Sequence, residues 1–404
     1  MTLAESLQQE DGTYARSYPN GNMAAHVVGY VSQQYGTAGI ESVMNDTLTG
    51  SKDYSSWNNA IASLAGQTQP GNTAKLTIDS RIQTAAEQAL KGFKGAVVVM
   101  DPRTGAVLAC ASSPTYDNTN IDALMQSGGG EDGSMYDRAM DALYTPGSTF
   151  KVVTLSAALE TGTASLTSTY QAPGSMDIGN APVTNNANES YGTISLQQAF
   201  AVSSNVVFGQ VANEVGANSL VQFANAFGYG QKLGQDLTTA ASIMADPSLM
   251  TEWETAWAGA GQPVGMDHTP GPQTTVMQNC VIAAAIANSG VVMNPFFVSQ
   301  ILARTEPWLR PRSPARWARL SALPRPTRSS RPCSPSSSPV PAPMPRFRAS
   351  RLPARPVRPR SAAPTSTLCL LALRLTIHPR LPSRWPWRIT TNTTSRRPRL
   401  PASS

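Results

Sequence analysis

From Thr305 to Ser404 the chain has no glycine and no lysine, 20 arginines, 20 of its 32 prolines and a single acidic residue, Glu306. Proline removes backbone donors and like charges repel, so this stretch lacks both the hydrogen bonds and the apolar face a fold needs. It should be disordered, and whatever folds must come from the first 304 residues. The same break divides the charge. The last hundred residues carry +19, which leaves −13 on the remainder of a chain whose net charge is +6. The pI of about 9.2 therefore belongs to the tail. With no motif to place that charge, it gives no ground for a nucleic-acid partner.

The body reads as short strands and helices in alternation. Leu76-Thr77-Ile78-Asp79 is a short strand whose Asp79, or Ser80 after it, can cap a helix with Ile82, Ala85, Ala86, Ala89 and Leu90 at helical spacing. Gly95–Met100 and Ala106–Ser112, joined by the turn Asp101–Gly105, form a hairpin. Upstream, Arg16–Gly21 followed by Met23–Tyr30 reads as a turn and then a strand, with a structural His26, and Ser51–Thr73 reads as a linker. Downstream, Pro114–Gly133 and Thr161–Gly192 read as loops, and Val211–Phe227 and Thr275–Asn288 as helices. Thr251–Gly261 reads as packed core or a loop wall, and Val291–Leu302 as the start of a strand. Cys110, Cys280, Cys333 and Cys369 lack metal-type spacing, and His26, His268 and His378 lie far apart. Neither a metal centre nor a histidine-based triad is expected. No apolar run reaches the roughly 18–20 residues needed to cross a bilayer, and no signal peptide opens the chain.

Chemistry concentrates in Pro146-Gly147-Ser148-Thr149-Phe150-Lys151, which runs into Val152, Val153, Leu155, Ala157, Ala158 and Leu159. Pro and Gly end what precedes them, and the apolar spacing suits a buried helix. Ser148 then falls at a helix N-terminus, with Lys151 on the same face one turn later. An amine desolvated there can be neutral near pH 7 and accept the serine proton. An isolated Ser-x-x-Lys more often marks a capping serine beside a surface lysine. Here a second motif, Ser203-Ser204-Asn205, places its Asn205 54 residues after Lys151, behind the helix-like lead-in Ile194–Val202.

These two motifs come in order with Arg16-x-Tyr18-Pro19, Ala24-Ala25-His26-Val27-x-Gly29-Tyr30, Leu76–Asp79 with Gln83, Gly95–Val98, Asp101-Pro102-x-Thr104-Gly105, Pro114-x-Tyr116-Asp117, Gly261-Gln262 and Ala287-Asn288-x-Gly290. As a set, over about residues 15–302, the chain resembles the transpeptidase domain of class B penicillin-binding proteins, nearest to actinobacterial forms. The resemblance implies an α+β fold shared with serine β-lactamases, an antiparallel sheet with flanking helices plus a helical subdomain. It divides the chain into a remnant of an N-terminal pedestal or dimerisation region with its linker (1–72), an incomplete transpeptidase domain (73–303) and the tail (304–404). It further implies that Ser148 attacks the penultimate D-alanine of a peptidoglycan stem peptide, with Lys151 as base. Ser203 would relay a proton and Asn205 would hold the substrate amide. The implied partners are stem peptides ending in D-Ala-D-Ala, β-lactams as inhibitors and a cell-wall glycosyltransferase, with no cofactor. The implied location is the extracytoplasmic face of the bacterial membrane. Family members begin with a membrane anchor that this sequence lacks, so its N-terminus reads as truncated.

The family's third motif, Lys-Thr-Gly or Lys-Ser-Gly on a core strand, does not occur in the sequence. Sliding the frame back by one base makes the codons of Ala349–Arg360 compatible with Gly-Ile-Lys-Ala-Ser-Gly-Lys-Thr-Gly-Thr-Ala-Glu. The tail thus reads as the product of a single-base frameshift near Ala303–Glu306, with the C-terminal strands lost to it. The polypeptide as written is expected to fold poorly and to react weakly with penicillin, since one oxyanion donor is worth on the order of 10²–10³ in rate. Other readings are a β-lactamase or D,D-carboxypeptidase, an inactive pseudoenzyme and a β-lactam sensor. The Arg16–Tyr30 stretch argues against the first, the intact Ser148, Lys151, Ser203 and Asn205 against the second, and the lack of a transducing membrane segment against the third.

Overall fold

In the computed structural model, which describes residues 1–11, 13–49, 71–302 and 315–319, the chain opens with a hairpin of β1 (Glu5–Gln8) and β2 (Tyr14–Ser17). One helical turn, α1 (Ala25–Val28), stands where the sequence reads as a strand. Gly29, at φ 80, turns the chain so tightly that a Cβ there would lie 1.8 Å from the carbonyl oxygen of Ala38. That crossing buries Val27 and Val28 on a single turn, and tertiary contact overrides the strand preference of β-branched residues. His26 is structural: its Nε2 donates to the Ser134 carbonyl at 2.8 Å, and its ring meets Tyr116 edge-on.

The central strands follow the expected pattern. After β3 (Thr73–Leu76), Asp79 caps α2 (Ser80–Ala89) by accepting from the Arg81 amide, and β4 (Gly95–Met100) pairs antiparallel with β5 (Val107–Ser113). A 3-10 turn at Gly147–Phe150 then leads into α3 (Lys151–Glu160). The stretch read as a loop over 161–192 instead carries β6 (Thr169–Ala172), β7 (Ser175–Ile178) and β8 (Ala181–Thr184), followed by β9 (Gly192–Ser195). β7 pairs with β8, and β6 with β9. The overlooked signal is Gly179-Asn180, with φ 63 and 65: a two-residue turn of the mirror-image kind that tight hairpins favour.

α4 (Leu196–Val202) and α5 (Asn205–Val215) flank the second motif, and α6 (Ala217–Ala226) follows. The single helix expected over 211–227 is therefore two, divided at Gly216 with φ 82. α7 (Glu252–Gly259) and α8 (Val276–Ala287) complete the helical part. Pro295 helps split the next strand into β10 (Val291–Met293) and β11 (Val298–Leu302), and β11 pairs with β3. Pro114–Gly133, read as loop, also contains a short helix at Ile121–Gln126. One more strand, β12 (Arg316–Arg319), pairs with β10 inside the stretch read as disordered tail. Its window between Pro314 and Pro324 is free of proline, so its backbone can form a ladder. The rest of the tail and most of the linker lie outside the described residues.

Two buried clusters carry the architecture. One joins Phe150, Val153, Phe208, Phe227 and Tyr229 under the helical part. The other joins Tyr18, Val27 and Val28 from the N-terminal segment to Val98, Val107, Met277 and Phe297. Fully buried Gln83 on α2 finishes the outer edge of β5. Its Nε2 donates to the Cys110 carbonyl at 3.1 Å, and its Oε1 accepts from the Cys110 amide at 2.8 Å. The same amide group donates to Glu87, which accepts from the Ala24 amide. Gln83→Leu is expected to cost about 2–6 kcal/mol, because it strands two buried backbone groups at ~1–3 kcal/mol each. A urea titration would read this as a lower midpoint at unchanged slope.

Candidate active site

Ser148 lies in the 3-10 turn that begins the helical stretch Gly147–Glu160 and is exposed; Lys151, one turn on, is 1% exposed. The turn is held from behind. Gly147, at φ 56, donates its amide to the Gly261 carbonyl at 2.9 Å. Gly261 has φ +89, and a Cβ there would sit 1.8 Å from the Gly147 oxygen. Helix α5 approaches closely because small residues meet α7: a Cβ on Gly259 would lie 2.2 Å from that of Ala212. This packing places the buried Phe208 ring 5.7 Å from Lys151 Nζ.

The second motif is the elbow between two helices. α4 ends at Ser203 in the left-handed conformation (φ 58, ψ 41), and Ser204 caps α5 by accepting from the Val207 amide. The left-handed turn of a non-glycine residue costs of order 1 kcal/mol. It aims both the hydroxyl and the carbonyl of Ser203 at Lys151. Lys151 Nζ lies 2.7 Å from the Ser203 carbonyl, 2.7 Å from Asn205 Oδ1, 3.0 Å from Ser203 Oγ and 3.2 Å from Ser148 Oγ. Ser203 Oγ donates to Ser148 Oγ at 2.8 Å. The four residues singled out from sequence thus converge within hydrogen-bonding distance of one amine.

Burial alone pushes the Lys151 amine down to about 7 from its ordinary 10.5, with no carboxylate contributing. Two of its four partners, the Ser203 carbonyl and Asn205 Oδ1, can only accept. A neutral amine therefore spends both N–H bonds on them and keeps its lone pair for the Ser148 hydroxyl, which in turn accepts from Ser203 Oγ. The orientation of the Asn205 amide is set in turn by its Nδ2, which donates to the Thr184 carbonyl at 2.9 Å. Sequence reasoning missed Thr184 and its neighbour Asn185. Thr184 ends, and Asn185 directly follows, the second strand of the hairpin whose only local sign is Gly179-Asn180.

The family described as "Penicillin binding protein transpeptidase domain" matches residues 95–321, and "Penicillin binding protein A dimerisation domain" matches residues 1–74. Peptidoglycan D,D-transpeptidase PbpA of Mycobacterium tuberculosis is 32% identical over 312 residues, 71% of this chain and 61% of that protein. Peptidoglycan D,D-transpeptidase MrdA of Escherichia coli K12 is 27% identical over 347 residues, 75% of this chain and 54% of that protein. The chain spans about 61% of the length of the first of these curated relatives. Among solved structures, the D,D-transpeptidase domain of a peptidoglycan glycosyltransferase from Eggerthella lenta superposes with a TM-score of 0.71 at 42% identity, covering 79% of this chain and 74% of that one. Penicillin-binding protein A from M. tuberculosis, as its imipenem acyl-enzyme complex, gives 0.70 at 29% identity, covering 79% and 76%.

Proposed function

The chain belongs to the penicillin-binding-protein transpeptidase family, and from that premise we propose that it is a serine D,D-transpeptidase of peptidoglycan in which Ser148 is the nucleophile. Its α+β fold is that of its solved relatives. The observation that carries the reading is a neutral-capable amine buried directly beneath two exposed serine hydroxyls. Ser148 Oγ attacks the carbonyl of the penultimate D-alanine while its proton passes to Lys151 Nζ. The C–N bond to the terminal D-alanine then breaks, and Ser203 Oγ, between the amine and Ser148, gives its proton to the departing nitrogen and takes in return the one held on Lys151 Nζ, which is left neutral again. An amine of a neighbouring stem peptide attacks the resulting ester and frees Ser148. The N–H group of Ser148, at a helix start, serves as one oxyanion donor. The second N–H of Asn205 Nδ2 is available to a substrate carbonyl. A β-lactam takes the place of the D-Ala-D-Ala end and stays as an ester on Ser148.

The work takes place outside the cytoplasmic membrane, in company with a glycosyltransferase. Among the described residues no helix is long and apolar enough to cross a membrane. With no Lys-Thr-Gly in the sequence, acylation should be slower by on the order of 10²–10³ than with a complete oxyanion site. The test is prolonged incubation of the full chain with excess fluorescent penicillin. The adduct should map to the tryptic peptide 139–151 and vanish in Ser148→Ala. Its rate should rise with pH to a midpoint of about 7, as Lys151 loses its proton. An adduct elsewhere, or none at saturating probe, would overturn the proposal.

A further inference from the structure

Asn185 has no hydrogen bond to Ser148 or Lys151, yet it holds the segment that surrounds the amine. Its side chain is buried, and all its polar capacity is used. Oδ1 accepts from Ser204 Oγ at 2.9 Å and from the Val206 amide at 3.1 Å. Nδ2 donates to the carbonyls of Pro173 at 3.0 Å and Glu189 at 2.9 Å. One amide thus clamps the start of α5, the mouth of the β7–β8 hairpin and the loop returning toward β9. The residue just before it, Thr184, supplies the carbonyl that orients Asn205.

The backbone after Asn185 is strained in a way that serves this clamp. Ala187 (φ 52) and Asn188 (φ 56) are both left-handed. Asparagine tolerates that conformation, whereas alanine pays of order 1 kcal/mol for it. The two residues fold the chain back so that the Glu189 carbonyl meets Asn185 Nδ2.

From this geometry we infer that Asn185 is a positioning residue for the proposed acylation, fixing the Ser203–Asn205 elbow so that Lys151 keeps both of its acceptor-only partners and its dry surroundings. The inference rests on the reading of Lys151 as the base. Without the clamp the elbow loosens, water reaches Nζ, and the amine regains its proton at neutral pH. Burial is the sole cause of its depressed pKa, so relief of burial has one direction, upward. A residue that merely stabilised the hairpin would lower the melting temperature and leave Lys151 alone.

The chain has six lysines, so the full-length protein labelled with 13C at lysine Cε gives a spectrum in which Lys151 is identified by its loss in Lys151→Arg. This readout needs no turnover. In Asn185→Ala the Lys151 midpoint should rise by about 1 or more, with the other lysines unmoved. Ser204→Ala, which cuts only one strand of the clamp, should shift it less and in the same direction. A folded Asn185→Ala protein in which Lys151 titrates as in the parent overturns the inference. If that variant does not fold, an unmoved Lys151 in Ser204→Ala does so. A parent Lys151 titrating near 10.5 would instead sink the reading of the site, and this inference with it.

Discussion

Lys151→Met is expected to give a protein that is more stable at neutral pH and nearly inert toward penicillin. The amine has a pKa of about 7 when folded and about 10.5 when unfolded. Between these values the unfolded chain binds more protons, so this group's contribution to stability rises with pH from about 7 to about 10.5. At pH 7 and below the fold bears nearly the full cost of burying it, on the order of 4 kcal/mol. Methionine fills similar space without a charge. It forfeits the bonds to the Ser203 carbonyl and Asn205 Oδ1, but Ser203 is exposed and Asn205 half-buried, so water replaces these bonds in part and about 1–3 kcal/mol of the gain is returned. Calorimetry at pH 7 should show a melting temperature higher by several degrees, with the advantage shrinking toward pH 10. Loss of the general base should slow acylation by about 10²–10⁴. A variant less stable than its parent at pH 7 would show that the amine is not held at a cost.

Gly261→Ala tests the other side of the site. The new methyl would have to displace the Gly147 carbonyl from 1.8 Å while the backbone holds φ +89. The nucleophile turn must move, and a shift near 1 Å at a reacting atom costs about 10² in rate. The strain should also remove about 2–4 kcal/mol of stability. Gly162→Ala is the control. It has φ +71 with nothing within 4 Å of the added methyl, so it carries only the conformational penalty of about 1 kcal/mol. Penicillin labelling should fall in the first variant and be unchanged in the second. Equal labelling in both would remove Gly261 from any part in setting the nucleophile.

What could be read from the residues divides along the range of the interactions. Ser148 and Lys151 are legible because three residues along a helix fix their relation, and Asp79 because a cap acts within its own turn. Ser203 and Asn205 carry no such local tie to Lys151. Only their resemblance to a known motif joined them, since the elbow depends on a left-handed serine between two helices. Thr184 and Asn185 were out of reach: they act across some twenty residues, from the end of a four-residue strand too short to show alternation and from the position just after it. The error at Ala25–Val28 has the same origin, because the crossing of Gly29 with Ala38 decides the local conformation. β12 eluded the reading for a different reason. Average composition hid a proline-free window able to pair.

Tyr18, Val27 and Val28 share a dry interior with Val98, Val107 and Phe297, and the Ala24 amide is tied through Glu87 and Gln83 to β5. Close-packed interiors transmit displacement rather than absorb it. The N-terminal segment is accordingly seated on β4 and β5 through one shared core, so a change of volume at Val27 or Val28 is felt at Val98 and Val107 as well.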